Sequence, residues 1–198
     1  MNTMLRKTVL GVAGLAFAGG VVGGPVGTAL DSAAHAAPAN PVAAVVRAEK
    51  PDTGKLMPHG EPGSQSRIPL DGEQTANVKA IIEATKKAGM DERAAVVAIA
   101  TSLQESKLEN LGHLGDRNDH DSQGLFQQRP SSGWGTVEQI TDPEYSTTAF
   151  LKGLKQVDGW QDMPLTEAAQ TVQVSAYPDH YAQWEKQAAD LVAEHWNS

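Results

Sequence analysis

The unbroken apolar run Ala94-Ala95-Val96-Val97-Ala98-Ile99-Ala100 constrains this chain more than any other feature. Asp91 ahead of it is a good helix N-cap, and Ala95, Val96, Ile99, Ala100 and Leu103 recur at helical spacing. A helix that is apolar nearly all round has to be enclosed by other elements, so this one is central, buried and ends near Glu105.

Helical periodicity continues on both sides. Val78, Ile81, Ile82 and Ala88 share a face over 75–88, and Gly89 follows where a left-handed C-terminal residue is wanted. Pro143 precedes a helix over 145–157 with Ala149, Phe150, Leu154 and Val157 on one side. Pro164 opens another over 165–175, and Pro178 separates it from a last helix over about 180–196, with Trp184, Ala188, Leu191 and Trp196 inward. Between the central helix and these, 107–129 carries Gly112, Gly115 and Gly124 among polar residues and reads as a loop, with short strands around Leu125-Phe126-Gln127. The expected fold class is mainly α, a single α-rich domain over 74–198 that buries roughly two-thirds of its chain surface.

The segments before that domain differ in composition. Arg6 and Lys7 precede an uncharged stretch from Thr8 to Leu30, and Ala34-His35-Ala36 offers small residues where a signal peptidase reads. Residues 1–36 therefore read as a secretory signal peptide; the competing reading is a membrane anchor, since the stretch is long enough to span about 30 Å of hydrocarbon. Its strongly apolar part is only Val9 to Val22, which favours cleavage, no stable membrane insertion afterwards, and a secreted or wall-associated protein. Residues 37–73, with Pro38, Pro41, Pro51, Pro58, Pro62 and Pro69, read as a flexible linker, apart from a possible turn of helix over 42–48.

Charge and cysteine content exclude several function classes. With 16 Lys and Arg against 24 Asp and Glu the net charge is -8, so a nucleic-acid or anionic-membrane partner has no electrostatic support. The absence of cysteine removes disulfides, thiolate zinc sites, iron–sulfur sites and a Cys nucleophile. No HExxH, GxSxG, P-loop or GxGxxG motif occurs. A calcium loop beginning at Asp119 would place Asp121, Gln123 and Gly124 suitably, but Pro130 stands where the bidentate Glu belongs. No metal and no cofactor are expected.

Chemistry is sought where the helical pattern breaks. Glu105 closes the buried helix near the negative end of its dipole, where a carboxylate is disfavoured, and partial burial raises its pKa in the same direction. A glutamate that stays protonated near neutral pH is a general acid. The plainer alternative is a polar residue on the exposed side of a fraying end.

Glu105-Ser106, then Gln123-Gly124-Leu125-Phe126-Gln127, then Val174-Ser175-Ala176-Tyr177 resemble, in order and rough spacing, the three motifs of the lytic transglycosylases, whose fold is goose-type-lysozyme-like. The resemblance implies a lysozyme-like domain and a secreted enzyme that cleaves the β-1,4 bonds of peptidoglycan glycan strands, acting as a monomer. It makes Glu105 the catalytic acid. Ser106 would orient a polar group or the substrate, Gly124 permit close backbone approach, Leu125 pack beneath the cleft and Gln127 bond the sugar. Tyr177 would point its hydroxyl at Glu105. Each of the last two has a plain alternative, a solvated loop residue for Gln127 and a core aromatic for Tyr177. Phe126 stands where Met is usual and Pro178 where Asn is usual, and the second change removes an amide and a backbone donor from the cleft wall.

The mechanism depends on a second carboxylate. Asp119 and Asp121 are the candidates for hydrolysis by two carboxylates, whereas a lytic transglycosylase uses one Glu and the sugar's own 6-hydroxyl to give a 1,6-anhydro product. Trp134 is a stacking platform for a sugar or a hydrophobic plug. Beside the enzyme stand two alternatives: a catalytically silent wall-binding module on the same fold, and an exported helical domain that binds another protein.

Overall fold

The computed structural model describes residues 49–198, and among them it is mainly α, with no strand. The elements are α1 (Thr53–Leu56), α2 (Gly72–Lys87), α3 (Glu92–Ser106), α4 (Val137–Ile140), α5 (Pro143–Leu154), α6 (Leu165–Gln173) and α7 (Glu185–His195), with single 3₁₀ turns between some of them. The expected signal peptide over 1–36, the turn of helix over 42–48 and the first part of the linker lie outside the described residues. No helix among those described is long and apolar enough to cross a membrane.

α3 is the rod around which the others pack. Every residue from Ala94 to Ala100 is fully buried, and α1, α2, α5, α6 and α7 all touch it. Its start is fixed by Asp91, whose side chain accepts from the Ala94 N–H. Its end is a sharp reversal in which Lys107 and Leu108 both adopt left-handed backbone, at φ 60° and 64°. Such a conformation disfavours residues with a Cβ by about 1 kcal/mol each, so it needs support. The Lys107 and Leu108 N–H groups donate back to Leu103 and Ser102. From α2, Gln74 and Asn77 donate side-chain amides to the Lys107 and Leu108 carbonyls at 2.8 and 2.9 Å, and the Leu108 side chain is fully buried. The turn after Glu105 is thus held from a neighbouring helix.

Two expectations need correction. The stretch over 51–70, expected to be part of a flexible linker, is packed on the domain. Leu56 and Met57 join the core, Arg93 donates to the Leu56 carbonyl at 2.8 Å, and Gln65, Ser66 and Ile68 form a series of hydrogen bonds with the turn before α7 and with α7 itself. The few apolar residues suffice because Gln side chains satisfy the backbone that a Pro-rich segment leaves open. The short strands expected near Leu125 are instead a tight turn, closed by one antiparallel bridge between Gln123 and Gln128 and carrying left-handed Gly124 and Gln127. Helix ends elsewhere shift by a few residues, most at the last helix, which starts at Glu185 after a 3₁₀ turn over Ala182–Trp184.

Candidate active site

Glu105 lies in the last turn of α3 and faces a cleft of about 690 Å³. It is half-buried, and the Tyr181 hydroxyl donates to its Oε1 at 2.6 Å. Burial pushes the Glu105 carboxyl above its ordinary range; the bond from Tyr181, the neighbouring Gln173 amide and the Lys107 charge pull the other way without prevailing. Burial and the adjacent carboxylate raise the Tyr181 phenol as well, so it stays protonated and is the donor in this pair.

The helix end that carries Glu105 is braced by its neighbours. The Gln104 side-chain oxygen accepts from the Trp184 indole at 2.8 Å and from Gln183 at 3.1 Å. The Lys107 ammonium donates to the Leu103 and Gln104 carbonyls, where a cation complements the helix dipole, and stands 4.9 Å above the Trp184 ring. Burial lowers the Lys107 pKa, while Glu105 acts to raise it.

The Gln123–Gln128 turn forms the cleft floor. Leu125 and Phe126 are buried beneath it, and Phe126 stacks on Phe150 with ring centroids 5.0 Å apart. Gly124 has φ 77°, and a Cβ there would stand 2.0 Å from the Ile140 carbonyl oxygen. Close approach is therefore the reason for the glycine, but the partner is the Ile140 backbone. Ser106 is buried and faces the protein: its hydroxyl donates to the Leu125 carbonyl at 2.9 Å and lies 3.2 Å from that of Ser102. It fastens α3 to the floor and does not reach into the cleft. Gln127 lines the cleft, with its amide donating to the Gly124 carbonyl at 3.1 Å.

Tyr177 does not meet Glu105. It lies on the cleft rim, 62 % exposed and stacked on His180 at 5.0 Å between centroids. Tyr181, four positions later and fully buried, takes the place expected for it. The signal for this residue was its spacing, since Tyr181 precedes Trp184 and Ala188 on the inner face of the last helix.

The two candidate second carboxylates are both engaged. Asp119 lines the cleft but is exposed; its bond with His120 at 2.7 Å and its pairing with Arg129 at 2.6 Å hold it below the usual carboxylate range. Asp121 accepts from the Ser131 N–H and hydroxyl, both at 2.8 Å, which also lowers its pKa, and it does not line the cleft. No group of three or more His, Asp or Glu side chains suited to a metal ion occurs among the described residues. Trp134 is half-buried at the cleft edge, and Val174 and Tyr177 form the opposite lip.

A cleft with one carboxyl whose pKa is raised by burial, amide side chains and aromatic edges can exchange a proton with a polar ligand. No family model matches the sequence, and no curated protein matches it.

Proposed function

We propose that this protein is an exported, monomeric peptidoglycan-cleaving glycosidase with a lysozyme-like fold, delivered by residues 1–36. In this reading Glu105 acts first as general acid and then as base on a β-1,4 glycan bond. The observation that carries the proposal is the raised carboxyl of Glu105 at the end of a buried helix, facing a cleft of about 690 Å³ with a protonated Tyr181 beside it.

Glu105 gives its proton to the bridging oxygen as the bond from that oxygen to the anomeric carbon breaks. In the one-carboxylate route the 6-hydroxyl oxygen of the same sugar then bonds to the anomeric carbon. Its proton returns to Glu105, and no water is consumed. The engagement of Asp119 by His120 and Arg129 favours this route, because a charged, solvent-exposed, ion-paired carboxylate is a weak base. Gln127 and Gln173 offer amide groups to sugar hydroxyls, and Trp134 an aromatic face to a ring.

A zymogram on peptidoglycan comparing wild type with Glu105→Gln tests the assignment; clearing by wild type alone is expected. Equal clearing by both would remove Glu105 as the acid. Binding to purified wall without clearing by either would favour a silent binding module, and no wall interaction at all would favour a protein-interaction domain. Mass spectrometry of the released fragments then reads the route, since a product one water lighter than the hydrolytic one marks the 1,6-anhydro end.

A further inference from the structure

Beyond Trp134 lies a second hollow of about 240 Å³, lined by Gly133, Trp134, Tyr145, Thr148, Ala149 and Lys152. Trp134 borders both this hollow and the main cleft, so the two adjoin at one indole ring. Four of the other lining residues come from α5 at successive steps of three, four and seven from Tyr145, which places them in one column on the side of the helix away from Phe150 and Leu154.

The column has a built character. Gly135 has φ 141°, and a Cβ there would come within 3.0 Å of the Tyr145 ring and hydroxyl, so the ring rests directly on the Gly135 backbone. That contact sets Tyr145 beside Trp134 while leaving it 36 % exposed. Ala149 and Gly133 keep the floor shallow, and Thr148 supplies a hydroxyl. Lys152 is exposed and has no ion pair or hydrogen bond among the described residues. The acid nearest it in sequence on α5, Glu144, is held by Lys87 at 2.6 Å. Two aromatic faces, a hydroxyl and a free ammonium suit a sugar ring with an acidic arm, the ammonium acting locally within a chain that is acidic overall.

We infer that this hollow is an additional saccharide subsite, in which a ring of the glycan crossing Trp134 lies against Tyr145 and its carboxylate-bearing substituent pairs with Lys152. The inference rests on the glycan-cleaving reading and adds to it a preference for acidic strands over neutral ones. The carboxylate comes either from a stem peptide or from the lactyl group of a stripped strand.

The test uses full-length protein carrying Glu105→Gln, so that ligands are not consumed, and measures affinity for three oligosaccharides of equal length. These are a wall strand with stem peptides, a wall strand stripped of them, and a neutral chitin oligosaccharide. Tighter binding of one or both acidic strands than of chitin is expected. Adding Lys152→Gln is expected to shrink that preference by about fivefold, the scale of one solvent-exposed ion pair, and Lys152→Arg to retain it. Which acidic strand loses affinity identifies the source of the carboxylate. An unchanged preference in Lys152→Gln overturns the subsite while leaving the glycan reading intact. Failure to bind any of the three, together with no clearing of wall by the wild type, overturns both.

Discussion

The Tyr181 hydroxyl and the Glu105 carboxylate, 76 positions apart in the chain, meet at 2.6 Å at the end of the central helix. The bond favours the charged carboxylate and burial favours the neutral one; burial is the larger effect. The carboxyl therefore holds its proton more tightly than a free glutamate while still aimed by a fixed donor.

On the glycan-cleaving reading, replacing Glu105 by Gln should lower cleavage by roughly a hundredfold to ten-thousandfold, the usual worth of a positioned acid–base group. It should also raise the melting temperature near neutral pH. The folded state binds the Glu105 proton more tightly than the unfolded chain, so its stabilising contribution is full at acidic pH and is lost as pH rises through the folded-state pKa. Gln carries no such penalty. Thermal melts of the two proteins from acidic to neutral pH should converge at the acidic end.

Tyr181→Phe removes a donor to the charged form of Glu105, so the carboxyl should titrate still higher. If Glu105 must be protonated to act, the alkaline limb of the kcat/KM profile shifts to higher pH even as the maximum falls. Stability near neutral pH should drop by about 1–3 kcal/mol, because a half-buried carboxylate loses its partner. A merely structural tyrosine would lower the melting temperature without moving the limb.

Gly124→Ala should destabilise the domain by about 3 kcal/mol or more, since the added carbon meets the Ile140 carbonyl in a backbone conformation that already disfavours it. Urea unfolding measures the effect. A loss below about 1 kcal/mol would mean that the floor turn and α4 move apart easily.

Arg93 and Glu185 form a buried pair at 2.5 Å, and Arg93 also holds the carbonyls of Leu56 and Met163. Arg93→Met alone should cost about 3–5 kcal/mol, because it leaves a carboxylate buried without a partner. Limited proteolysis should then cut first within residues 53–70, whose anchorage is gone. Adding Glu185→Leu should restore much of the stability.

The central helix and its acid were legible because their signals are local: Asp91 caps, the apolar run follows, and Glu105 breaks it. The segment over 51–70 was not, because its bonding partners, Gln183 and Gln187 among them, lie more than a hundred positions away and its own apolar residues are few. The tyrosine was misassigned for a related reason. The motif's spacing points to Tyr177, but the chain turns between Tyr177 and Tyr181, and only the second faces α3. The short strands expected around Leu125-Phe126-Gln127 do not form, because left-handed Gly124 and Gln127 on either side of the apolar pair bend the chain into a turn.

The bond from Ser106 to the Leu125 carbonyl makes the acid and the floor beneath it one rigid jaw. On the far lip, Val174 and Tyr177 are 80 % and 62 % exposed and bury no side chain in the core. A bulky polymer that needs more room must push that lip outward. On the glycan-cleaving reading, tolerance for decorated or cross-linked strands would be set from the 174–177 side while Glu105 stays in place.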